Sequence, residues 1–138
     1  MQAEYLEIFE QLVTRAVNQQ GLCLPAPLQQ YTTAVMAEYV DKAPVTQDKT
    51  FAELYLTAAT ALDCKTVGDC ALLVYGAWPT YRQHRGINPE YYREIGTSAY
   101  SRIDREPFTA MTKHFAQAAV LIRTVINCTP VSLVKFPD

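Results

Sequence analysis

Asp69 is the carboxylate in this sequence best placed to do chemistry. It follows Gly68 and precedes the apolar run Cys70-Ala71-Leu72-Leu73-Val74, so helical continuation carries it beside the core or into it. A buried, unpaired carboxylate is expensive, so it must find hydrogen-bond donors or take up a proton. Three readings stay open. The first is a polar anchor, held by a tyrosine hydroxyl, a backbone N–H or an arginine from residues 82–105. The others are a solvent-facing residue and a functional acid.

The tyrosines form the second signal. Nine Tyr against five Phe and one Trp is a high phenol content, and each buried hydroxyl wants a partner. Tyr75, Tyr81, Tyr91, Tyr92 and Tyr100 share a region with Arg82, Arg85, Arg93, Arg102 and Arg105. One reading is a mildly basic, aromatic-lined patch for an anionic ligand, a nucleic acid or an acidic partner. On that reading the candidate ligand- or partner-contacting residues are Asp69, Tyr92, Tyr100, Arg82 and Arg93. The other is an aromatic core with arginines that cap helix ends and pair with Glu90, Glu94, Asp104 and Glu106. Net charge over residues 78–105 is only about +2, which argues against nucleic acid.

Reaction signatures are missing. His84 and His114 stand in different segments, with no acid or cysteine at ligand spacing, so no metal site is predicted. There is no nucleophile elbow, phosphate-binding loop or HExxH, and no cofactor is predicted. Cys23, Cys64, Cys70 and Cys128 show no CxxC spacing. Within a continuous helix, residues 64 and 70 lie about 9 Å apart along the axis and on different faces, beyond the reach of a disulfide. They read as small buried hydrophobes in a reducing compartment.

The elements that must position these groups are helices. From Gln2 to Gln19 a wide apolar stripe at 3–4 spacing includes Tyr5, Ile8, Phe9, Leu12 and Val13, and Gly21 supplies a stop. Pro27 suits the first turn of a second helix that carries Leu28, Tyr31, Val35, Met36 and Tyr39 inward and ends before Pro44. After a polar connector, Val45–Lys49, Thr50 is a natural N-cap. The next helix presents Phe51, Leu54, Ala58, Ala61 and Leu62 on one face. Lys65 to Ala77, apolar on most faces, reads as a central helix, with Pro79 ending or kinking it.

Asn88-Pro89-Glu90 is a strong start signal: a capping side chain, proline in the first turn, then an acid. The helix after it aligns Tyr92, Ile95, Ala99 and Ile103. Glu106-Pro107 repeats the chemistry, and Phe108, Met111, Phe115, Ala118, Ile122, Val125 and Ile126 follow at helical spacing. Gly68, Gly76 and Gly96 each cost about 1 kcal/mol relative to Ala inside a helix. The readings that account for them are a local break or close helix–helix approach, the latter at contacts that Ala99 shares. Beyond Thr129, Val131, Leu133, Val134 and Phe136 fit a docked tail, a strand or an edge equally.

GDCALLVYGAWP (residues 68–79) followed by INPEYYREIGTSAYSRI (residues 87–103) resembles a group of uncharacterised bacterial proteins. In that group a GD-led helix ending near an aromatic-Pro pair leads to a YY…G..AY helix. The likeness spans roughly residues 51–127. It implies a bacterial, helical, soluble protein and no particular reaction.

Length and composition agree with these elements. The chain has 138 residues, 49% hydrophobic and 19% charged, with net charge −2, enough for a real core and wrong for a disordered chain. The N-terminal segment lacks the basic-then-apolar pattern of a leader, and the longest charge-free apolar stretch, Cys70–Tyr81, falls far short of the ~20 residues of a membrane span. The sequence therefore predicts one all-α domain over residues 1–138, a compact bundle of five or six helices, cytoplasmic and not in a membrane. It predicts a non-enzymatic helical protein-interaction module that binds another protein or itself. The alternative is a small-ligand binder or enzyme with a pocket between the Gly68–Trp78 and Pro89–Ile103 helices.

Overall fold

A computed structural model describes residues 2–40, 50–77 and 88–127. Six helices account for 83% of these residues, and none of them is in a strand. That is far above the roughly 30–35% helix of an average soluble domain. The fold is all-α.

α1 (Gln2–Gln20) and α2 (Ala26–Tyr39) form an antiparallel pair. Gly21 closes α1 with φ of +63°, a backbone conformation that a side chain would strain. Pro25 and Pro27 flank the start of α2, where a missing N–H costs nothing. α2 buries Leu28, Val35, Met36 and Tyr39 as its spacing predicts.

The segment after Thr50 departs from the predicted pattern. α3 (Phe51–Thr57) opens on a capping box: Thr50 Oγ1 accepts from the Glu53 N–H, and Glu53 accepts from the Thr50 N–H. It stops at Thr57 instead of running on through Leu62. Thr60 then builds a second capping box with Asp63, starting α4 (Ala61–Gly76) four residues before Lys65. Two orphan N–H groups satisfied by one Thr-x-x-Asp motif outweigh the apolar stripe that would continue α3. Leu62, placed inward by that stripe, is 69% exposed.

α5 (Pro89–Ser101) begins on the Asn88 cap, whose side chain accepts from the Glu90 N–H. α6 (Phe108–Asn127) begins after Glu106-Pro107 and bends at His114, where φ/ψ leave the helical range. One buried cluster draws on all six helices, with α4 at its centre: Cys70 to Val74 are all 0–1% exposed.

The helical glycines are contact points. A Cβ on Gly68 would lie 2.6 Å from the Tyr100 ring, and one on Gly76 would lie 2.9 Å from Ile122. A Cβ on Gly96 would lie 2.5 Å from Cε2 of Phe115 and 3.2 Å from the Ala71 Cβ. The Gly68 and Gly96 contacts bring α4, α5 and α6 close together, while Gly76 meets α6 rather than α5. Cys64 and Cys70 are buried free thiols, as expected, whereas Cys23, in the turn between α1 and α2, is a free thiol exposed to solvent, which corrects the reading of it as a buried hydrophobe. The connector Val45–Lys49, Pro79, Cys128 and the residues beyond Thr129 lie outside the described residues.

Candidate functional site

Asp69 is fully buried in the middle of α4. Three donors reach it from three directions. The Tyr100 hydroxyl of α5 donates to Oδ1 at 2.6 Å, and the Tyr31 hydroxyl of α2 donates to the same oxygen. The Lys65 ammonium, one helical turn earlier on α4, donates to Oδ2 at 2.7 Å. Lys65 also faces Glu38 of α2 at 3.8 Å, where both side chains are about one-third exposed. The carboxylate therefore ties α2, α4 and α5 together, with a charged thread leading to the surface.

Electrostatics follow from burial. Desolvation pushes the Asp69 carboxyl above the ordinary carboxylate value, and the Lys65 ammonium and the two phenols pull back without cancelling it. Burial works against the Lys65 charge, but Asp69 and Glu38 outweigh it and hold its pKa up. The phenols of Tyr31 and Tyr100 are raised by burial and then by the neighbouring carboxylate. Both stay protonated and act as hydrogen-bond donors.

The sequence-predicted residues divide clearly. Asp69 and Tyr100 are brought together. Tyr92, two turns before Tyr100, is buried elsewhere, its ring edge-on to Phe51 at 5.3 Å and to Tyr91 at 5.1 Å. Arg93 turns to solvent and pairs with Glu90 at 2.6 Å. Arg82 lies outside the described residues, as do Tyr81, His84 and Arg85.

Other arginines work as structural ties. Arg102 donates to the carbonyls of Tyr55 and Ala58, closing the α3–α4 junction, and its guanidinium covers the Tyr55 ring at 5.3 Å. Arg123 of α6 donates to the carbonyls of Tyr75 and Gly76 at the end of α4.

Sequence reasoning missed Tyr31 and Lys65. Lys65 had a local signal, the i,i+4 spacing to Asp69 that makes helical neighbours. Tyr31, 38 residues from Asp69, had none. The positive partner of Asp69 is thus a lysine on its own helix and not an arginine of residues 82–105.

The facing surfaces of α4 and α5 are filled where Gly68 meets Tyr100 and Gly96 meets Ala71. A recess of about 220 Å³ lies instead between α3 and α4, floored by Phe51, Leu54, Ala58, Val67 and Cys70. Among the described residues, no three His, Cys, Asp or Glu side chains gather to hold a metal ion. None of the described helices is long and apolar enough to cross a membrane. Compared with protein-family models, curated proteins and solved structures, the chain matches none.

Proposed function

We propose that this protein is a non-enzymatic helical interaction module that docks another protein at the α3–α4 corner. The observation that carries this reading is the exposure of Leu56 and Leu62, 78% and 69%. They flank the junction whose inner side is the 220 Å³ recess. Large apolar side chains held in water beside a recess with an apolar floor and a polar rim of Thr57, Asp63 and Thr66 are what a partner would cover.

Charge selects the partner. Residues 51–63 carry Glu53 and Asp63, and the one guanidinium described at this junction, that of Arg102, is engaged with the Tyr55 and Ala58 carbonyls and the Tyr55 ring. Backbone N–H groups of Ala59 and Thr60 hold the Asp63 carboxyl below its ordinary pKa, so it stays charged. The complementary surface is a protein segment with an apolar side chain for the recess and basic residues on its flanks.

The test is affinity capture from the lysate of the encoding organism, with the wild type and a Leu56→Asp/Leu62→Asp variant as baits. The expected result is a protein with a basic, amphipathic segment that the wild type retains, the variant loses and added salt weakens. Capture of the same proteins by both baits, or of none, overturns the docking face. Concentration-dependent dimerisation in light scattering, lost in the variant, would overturn the basic partner in favour of a second copy.

A further inference from the structure

We infer that α1 and α2 form a flap, latched by Tyr31 on Asp69, that opens as a unit while α3–α6 stay folded. The inference meets the α3–α4 recess only at Cys70 and does not depend on the docking reading.

The polar ties among α3–α6 are numerous and join residues far apart in sequence. The Ala52 N–H of α3 donates to the Tyr91 hydroxyl of α5. Arg102 holds the end of α3, and Arg123 holds the end of α4. Tyr100 donates to Asp69, and the Gly68, Gly76 and Gly96 approaches leave no slack between α4, α5 and α6. These four helices form one cross-braced body.

α1 and α2 belong to a second body. They pack most closely on each other and then on α6, whereas the backbones of α2 and α4 keep apart. The pair grips α4 through side chains: Tyr31 on Asp69, Glu38 on Lys65, and the Tyr39 hydroxyl on the Cys70 thiol. The grip falls along one side of α4, and Asp69 is its fully buried point.

Opening would separate Phe9, Met36 and Tyr39 from Leu73, Ile122 and Ile126, which now line one narrow apolar recess. A fresh apolar surface on α4 and α6 would result. Sub-global opening of this kind is a known route to regulated exposure.

Native-state hydrogen exchange, followed by mass spectrometry at increasing denaturant, tests the flap. The expected result is that amides of α1 and α2 exchange together through an opening that leaves α4–α6 protected. Two variants separate this opening from global unfolding. Tyr31→Phe removes the latch from the closed state and should speed exchange of both bodies about tenfold or more. Arg102→Met loosens only the cross-braced body, so it should speed exchange in α4–α6 and leave the α1–α2 opening unchanged. Equal acceleration of α1–α2 by Arg102→Met would overturn the flap. So would a wild type in which both bodies share one opening at every denaturant concentration.

Discussion

Gly68 and Tyr100 meet so closely that a Cβ on the glycine would sit 2.6 Å from the phenol ring. The ring cannot easily withdraw, because Tyr100 is fully buried and its hydroxyl is committed to Asp69 at 2.6 Å. The missing side chain at 68 and the buried carboxylate at 69 are therefore parts of one arrangement. In an unhindered helix, Gly→Ala would stabilise by up to about 1 kcal/mol. Here Gly68→Ala is expected to destabilise by about 1–3 kcal/mol through overpacking, read from the midpoint of denaturant unfolding. A midpoint at or above that of the wild type would refute the contact.

Gly96 makes the same argument at a second crossing, between Phe115 of α6 and Ala71 of α4. Gly96→Leu should cost at least about 1–3 kcal/mol. Because the obstruction at Phe115 is a ring, Phe115→Leu in the Gly96→Ala background should cost less than it does alone. A double-mutant cycle measures this coupling, and strict additivity would count against it.

What was legible in the sequence was local. Gly21, Thr50 and Asn88-Pro89-Glu90 mark their helix ends correctly because a cap acts within four residues of itself. The α3–α4 break was equally local and still hidden. Ala58, Ala61 and Leu62 continue an apolar stripe, and the Thr60–Asp63 box that interrupts it is satisfied only when Leu62 faces water. The site behaved differently. Asp69 stood out because a carboxylate inside an apolar run must be answered by donors, and Tyr100 was a candidate from its phenol alone. Tyr31 could not be chosen, since its approach depends on how α2 crosses the bundle. Tyr92 and Arg93 are adjacent in sequence, so the roughly 100° step of the helix places one in the core and the other outside.

The Thr60 cap gives a prediction about acid. Thr60→Ala should destabilise by about 1 kcal/mol, as loss of an N-cap hydroxyl usually does. Its partner Asp63 has a pKa lowered by hydrogen bonds from the Ala59 and Thr60 N–H groups and the Thr60 hydroxyl. A carboxylate with a lowered folded pKa stabilises above its ordinary value of 3.8 and loses that contribution as pH falls through the folded pKa. Asp63→Asn should therefore flatten the acid end of the stability–pH curve while leaving its shape near neutrality alone. Unfolding midpoints across the acid range check both statements.

Asp69 should behave in the opposite sense. Desolvation raises its folded pKa above the ordinary 3.8, against the pull of Lys65, Tyr100 and Tyr31. Below about 3.8 both folded and unfolded chains carry the proton, and the group contributes no slope. As pH rises, the unfolded chain ionises first, so stability falls until the pH has passed the folded pKa. Asp69→Asn removes this slope and keeps a carbonyl that can accept from both phenols, while Lys65, about one-third exposed, can turn its ammonium to water. Relative to the wild type, Asp69→Asn should therefore gain ground from about pH 3 to about pH 7. Asp69→Ala strands two phenols and leaves a hole. It should cost about 2–4 kcal/mol, less than the loss of one member of a fully enclosed ion pair because Lys65 keeps its access to solvent. Denaturant titrations of the three proteins at both ends of that pH range decide the matter. If the wild type gains on Asp69→Asn as pH rises, the three donors have outweighed burial, and Asp69 is an ionised anchor held by Lys65.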